Sequence, residues 1–234
     1  MRLTPHVADQ IWLCPYPIRF AGTRFEERMT VIRLASGALM LHSPCSITAA
    51  MADEISALGA VAHIVAPGNF HHLYVASAQA AFPRAKTWIC PGVEHRQPGL
   101  AFDGLLGDVA PADWAAEIDQ VLVQDTRIMR EVAMFHRASR TLILVDLIEN
   151  FTDATPHASG ALKFWFKYVF RMWNHPRPAP EYRMGWSDRQ AAAESLRRIL
   201  AWDFRRIVLS HGDLIESAAH EVASKAWLGI LEGR

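Results

Sequence analysis

The sequence predicts an α/β layered fold, on three observations. Apolar runs of strand length alternate with helix-spaced segments between Gln10 and Cys90. Two further apolar runs flank a polar four-residue turn, Arg137 to Arg140, which is the pattern of a β-hairpin. A helix-spaced segment near the end leads into the strand-like Arg206-Ile-Val-Leu-Ser210. Strands and helices that alternate in this way bury their apolar faces as sheets covered by helices.

The elements follow in order. Gln10-Ile-Trp-Leu-Cys14 and Met29-Thr-Val-Ile-Arg-Leu34 read as strands, and Gly37 to His42 follows the turn-forming Ala35-Ser-Gly37, so a hairpin is expected there. Ser46 to Leu58 has helical spacing and stops at Gly59. Val61 to Ala66 is a strand, then comes Pro-Gly-Asn-Phe-His-His, and an alanine-rich helical stretch runs to about Ala81. Thr87-Trp-Ile-Cys90 is another strand, ended by Pro91-Gly92. Asp119 to Val123, Glu131 to His136 and Thr141 to Asp146 add three more. Ser187 to Trp202 reads as a helix with Ser187 and Gln190 as a capping box, and Arg206 to Ser210 delivers His211-Gly-Asp213. Without repeats or low-complexity linkers, residues 1–234 are expected to form one domain.

Composition excludes several classes. Lys plus Arg equals Asp plus Glu, 24 each, so bulk charge does not draw the chain to phosphate backbones, and no nucleic-acid partner is expected. No apolar run reaches the roughly 18 residues of a bilayer span, and the first residues lack a secretory pattern. Cys14, Cys45 and Cys90 are scattered and odd in number, as reduced thiols of a cytoplasmic protein would be. Pro67-Gly68 and Pro91-Gly92 are turns without a nucleotide fingerprint.

Between about 151 and 182 the character changes. Ala161 to Trp173 is heavily aromatic, and Asn174-His-Pro-Arg-Pro-Ala-Pro180 is a stiff loop. The simplest expectation is a helix packing its aromatics on the core; the alternatives are a lid over a site or a surface for a partner or membrane interface.

The chemistry gathers at strand ends. Centring the hairpin turn between Ala138 and Ser139 sets Glu131 opposite Asp146, with Cβ atoms about 5 Å apart. Two carboxylates that close need a proton, a cation or a positive side chain between them. The same register sets His136 opposite Thr141, roughly 16 Å from Asp146, and so outside the site. His42, Asn69 with His71 and His72, Asp146, and His211 each finish an apolar strand. Sheet edges where strand ends converge are where ligands and catalytic groups collect, and histidine with carboxylate suits zinc, iron or manganese. Cys45, three residues after His42, is most simply a small buried cysteine.

In this order of signals the chain resembles the metallo-β-lactamase superfamily, whose strand-exit motif is His-x-His-x-Asp-His. That motif is followed by a later histidine, an aspartate ending a hairpin strand and a last histidine after the final strand. Ile64-Val-Ala-Pro-Gly-Asn-Phe-His-His-Leu73 resembles the first motif, with Pro67 and Asn69 at the first two histidines, His71 at the aspartate, and His72 keeping the last histidine. Arg140 to Ile148 resembles the segment bearing the metal-bridging aspartate, here Asp146, and Ile207-Val-Leu-Ser-His211-Gly the closing histidine motif. No middle histidine stands near Arg127, where Glu131 is the nearest substitute, and His42-Ser-Pro44 lies where the family has Asp-Thr-Gly. The whole pattern resembles a branch catalogued as a domain of unknown function.

The resemblance implies a four-layer αββα sandwich with an aromatic helical insert at about 151–182. It implies one divalent metal (zinc, iron or manganese) held by His71, His72, Glu131, Asp146 and His211, with Asp146, His72 and His42 as the catalytic residues. The expected activity is hydrolysis of a small ester, lactone or amide, the partner a small-molecule substrate, and the assembly state a monomer or homo-oligomer. The alternative is a metal-free, inactive member that binds a ligand or partner.

Overall fold

The computed structural model describes residues 2–123 and 126–233. Strands β1 (Thr4–Val7), β2 (Ile11–Phe20), β3 (Thr23–Arg33) and β4 (Leu39–His42) are followed by helix α1 (Ala49–Leu58), strand β5 (Val61–Ala66) and helix α2 (Val75–Ala81). Strand β6 (Lys86–Ile89), the single turn α3 (Val93–Arg96) and β7 (Gly104–Leu105) complete a seven-stranded sheet in sequence order, antiparallel from β1 to β4 and parallel from β4 to β7.

The second sheet has the order β11-β10-β9-β8. It contains β8 (Ile118–Leu122), β9 (Val132–His136) and β10 (Thr141–Leu144); then come α4 (Gly160–Phe164), a π-helical turn over Trp165–Val169, α5 (Pro180–Gly185) and α6 (Arg189–Leu200). Strand β11 (Arg206–Leu209) runs parallel to β10, and α7 (Ala219–Leu231) is the last element of the described residues.

The strand period of two decides the layering. Val132, Met134, Ile143 and Val208 point inward to a core shared with Ile11, Met29, Val31 and Ile64 of the first sheet, a core that also reaches Met51 and Ile55 of α1. Their neighbours Ala133, Phe135, Leu142 and Leu144 point outward to Leu196 and Ile199 of α6 and Trp227 and Ile230 of α7. The result is the expected αββα sandwich. The Trp227 indole also donates to the Leu147 carbonyl at 2.9 Å, which ties the outer helix layer to the loop just past Asp146.

The β9–β10 hairpin has the expected register, His136 against Thr141. His136 is buried and bonds the Ser139 hydroxyl at the turn, 2.7 Å away. Three expectations need correction. Strands β2 and β3 run far past Cys14 and start well before Met29, because Pro15 and Pro17 hid the pattern; β1 covers β2 only from Ile11 to Leu13, so the prolines lie where that edge is unpaired and lose no ladder bond. Helix α6 is capped by Asp188, not Ser187: the Asp188 carboxylate accepts from the amides of Gln190 and Ala191 at 2.9 and 3.1 Å, so the helix starts at Arg189. Helix α7 was not anticipated at all; it buries small residues, Ala219, Ala223 and Ala226, beside Trp227 and Ile230.

Candidate metal centre

The site lies where β4, β5, β10 and β11 end, beside Glu27 in the middle of β3. After β5 the chain turns at Pro67-Gly68, and the Pro67 carbonyl accepts from the Val132 amide at 2.7 Å. Asn69 uses its whole side chain to hold the neighbouring loop, donating to the Ile128 carbonyl at 3.0 Å and accepting from the Arg130 amide at 2.9 Å. Two of the four positions that resemble metal ligands therefore serve the loop's shape, which in turn presents His71.

His71 sits between two acids. Its Nε2 is 3.1 Å from Asp146 Oδ2, and its Nδ1 is 2.8 Å from both Glu27 Oε1 and the Ser43 hydroxyl. Ser43 itself donates to Glu27 at 2.9 Å. His211, delivered by β11, sets Nε2 3.4 Å from the other Asp146 oxygen and Nδ1 3.3 Å from the Glu26 carbonyl. Gly212 follows with φ of 80°, and a Cβ there would lie 2.2 Å from the Asn150 carbonyl oxygen, so glycine alone lets the strand end come this close.

The electrostatics follow from this geometry. Burial works against charge on His71, yet Asp146 and Glu27 outweigh it and hold the imidazolium form well above the ordinary histidine range. The reciprocal attraction overcomes burial at Asp146, held well below the usual carboxylate range by His71 and His211, and at Glu27, also lowered, chiefly by His71.

His71, Asp146 and His211 each offer a donor atom within 4.8 Å of the other two, and all three are buried. Two imidazoles and a carboxylate are a donor set for zinc or non-haem iron. The ring orientation fits as well: each Nδ1 has an oxygen acceptor behind it, so each Nε2 faces the common point, the arrangement that orients metal-bound histidines.

The other expected site residues lie elsewhere. Glu131 spends both oxygens on backbone amides, accepting from Val145 at 2.6 Å and from Asp146 and Leu147 at 2.8 Å each, so it straps the Asp146 loop instead of facing His71 and His211. Burial and the Asp146 charge push its carboxyl up to about 7. His72 borders the cavity above the three-residue group but is not a member of it; burial, Arg96 and His71 lower its pKa, and Nδ1 is sealed without a partner among the described residues. His42 is sealed beneath the site, 1% exposed with neither ring nitrogen bonded among the described residues, its pKa down to about 3 through burial and the nearby His71. Cys45 is also fully buried, and its hydrogen bond with the Cys14 thiol, together with burial, raises its pKa strongly.

Sequence reasoning missed Glu27 and Glu149. Glu27 had a legible signal: on β3 it follows Phe25 and precedes Met29 at the strand period, an acid on the apolar face. Glu149, three residues past Asp146, is buried in the cavity wall with Oε2 unpartnered among the described residues; burial, Asp146 and Glu181 hold its carboxyl in the acid form well above the usual range. A cavity of about 530 Å³ opens above this floor, bordered by His71, Asp146, His211, His72, Glu149 and Glu181 on its polar side.

A family model described as "Domain of unknown function (DUF4336)" matches residues 8–165. No curated protein matches the sequence. Among solved structures the chain is similar to a metallo-β-lactamase from Pontibacter korlensis, with TM-score 0.66 at 10% identity, covering 100% of this chain and 99% of that one. It is similar to one from Erythrobacter litoralis, TM-score 0.66 at 14% identity, covering 99% and 96%. The metallo-β-lactamase FIM-1 from Pseudomonas aeruginosa, in a mono-zinc form, gives TM-score 0.65 at 9% identity, covering 100% and 96%. At such identities the likeness is one of fold.

Proposed function

Since the chain belongs to the family described as Domain of unknown function (DUF4336) and has the metallo-β-lactamase fold, we propose that it is a hydrolase of an ester, lactone or amide built on a single divalent cation held by His71, Asp146 and His211. One observation carries this reading: two imidazole Nε2 atoms and a carboxylate converge while both Nδ1 atoms are engaged behind them. A cation there, zinc, iron or manganese, supplies Lewis-acid polarisation of a carbonyl oxygen and a water of near-neutral acidity.

The chain's own groups do the rest. Glu27 and the Glu26 carbonyl fix the two rings, and Glu131 fixes the backbone that carries Asp146. Glu149, held in its acid form on the cavity wall, gives a proton to the departing alkoxide or amine. His72, neutral and beside the cavity, hydrogen-bonds the substrate. Cys14, Cys45 and Cys90 are free and buried, which supports a cytoplasmic setting.

Elemental analysis of protein purified without chelators tests the reading: close to one equivalent of zinc, iron or manganese is expected, lost in Asp146→Asn and His211→Ala. Less than about a tenth of an equivalent, with no uptake on adding those metals, overturns it. A second reading has its own observation. Because carboxylates meet both nitrogens of His71, a protonated His71 satisfies the cluster without a metal, as a ligand-binding protein with no hydrolytic activity would require.

A further inference from the structure

We propose that the cavity above the His71–Asp146–His211 group takes a hydrocarbon chain, so that the substrate is the ester or lactone of a long acyl or alkyl group; this rests on the hydrolase reading above.

The cavity has two chemistries. Its floor carries the acids and histidines, whereas its walls are apolar and come from two separate parts of the chain: Ile18 and Phe20 at the tip of the β2–β3 hairpin, and Leu162, Phe166 and Phe170 on the 160–170 segment. These walls form one frame. Ser159 bonds Arg24 in both directions, its amide to the Arg24 carbonyl at 2.9 Å and the Arg24 amide to its hydroxyl at 3.1 Å. Behind them Phe151 meets Phe25 and Phe166 edge-on, at 5.7 and 5.1 Å between centroids.

The mouth is apolar as well. Phe20, Leu73, Trp165 and Met184 border the cavity yet are 43%, 63%, 45% and 68% exposed. Scattered exposed apolar residues are ordinary, but four around one opening mark a binding surface. Two basic residues, Arg19 and Arg96, also border the cavity, and the Arg96 guanidinium sits over the Phe70 ring, 4.0 Å from its centroid. A small polar substrate would leave these walls facing water. A chain that enters past Trp165 and Leu73 covers them while its carbonyl reaches the polar floor. About 530 Å³ suits a ligand of drug size.

The test measures binding of straight-chain methyl ketones, four to twelve carbons long, to the metal-free full-length protein by tryptophan fluorescence and calorimetry. Ketones carry the carbonyl but cannot be hydrolysed. Affinity is expected to rise about fourfold per added methylene until the cavity is full. Leu73→Asp and Trp165→Asp, at exposed positions that leave the core untouched, are expected to lower the affinity for the longer ketones about tenfold. Sedimentation with phosphatidylcholine vesicles separates two sources of the chain: co-sedimentation that the Asp variants abolish assigns it to a bilayer lipid, and ketone binding without co-sedimentation assigns it to a dissolved ester. Affinity independent of chain length, or unchanged in both variants, overturns the proposal. Because the measurement uses neither metal nor turnover, chain-length-dependent binding by a protein that takes up no metal would leave the acyl site standing and remove only the hydrolase reading.

Discussion

Glu27 Oε1 and His71 Nδ1 meet at 2.8 Å in a place nearly closed to solvent, each side chain less than a tenth exposed. A carboxylate behind an imidazole decides which ring nitrogen carries the proton and which is free to bind. Here Glu27 engages Nδ1 and turns Nε2 toward Asp146 and His211, where a bound cation would take the place of the Nε2 proton.

Glu27→Gln removes that charge while keeping size. Metal affinity is expected to fall about 10- to 100-fold with stoichiometry near one, the usual effect of losing an outer-shell carboxylate. Competition titration against a chelator measures it, and an unchanged affinity would remove Glu27 from the centre.

Glu131→Gln tests the strap. The acid accepts three amides, and an amide side chain offers one oxygen while turning its NH₂ toward a donor. The expected loss is about 1–3 kcal/mol of stability, read from the denaturant midpoint. Metal stoichiometry should persist at temperatures where the variant is folded, because Glu131 does not face the ligand point.

His72→Ala separates a cavity group from a ligand. Since His72 lies outside the converging three, the variant is expected to keep one equivalent of metal and lose turnover on the order of 10²-fold. Loss of the metal itself would return His72 to the ligand set.

His42→Leu reports on acid stability. Unfolded, His42 takes up a proton near its ordinary value of 6.5; folded, it resists until about 3. Between these values the unfolded state binds the extra proton, so stability is fully present above 6.5 and is lost as pH falls toward 3, by about 5 kcal/mol in total. In His42→Leu this limb should be shallower by one proton, measured as the thermal midpoint from pH 7 down to pH 4. The same steepness in both proteins would contradict it.

The hairpin from Glu131 to Asp146 shows how far pattern reaches. Two apolar runs and a polar turn set its register, and with it the nearness of Glu131 to Asp146. Pattern did not tell what Glu131 does there. Whether its carboxyl meets a cation or three amides depends on how the chain turns at residues 145–147, a conformation without periodicity. Asn69 is similar: its place in the strand exit was plain, but its bonds go to a loop some sixty residues away.

Alone, the sequence determined the alternation of strands and helices, the strand ends that carry His71, Asp146 and His211, and the resemblance in fold, because period and turn chemistry are local properties of the chain. The tertiary structure decided which of those side chains converge, that Glu27 stands behind His71, and that the aromatic 160–170 segment walls a cavity. Each of these is a contact between segments distant in sequence, fixed by the packing of the two sheets and the loops at their edge rather than by any neighbour along the chain.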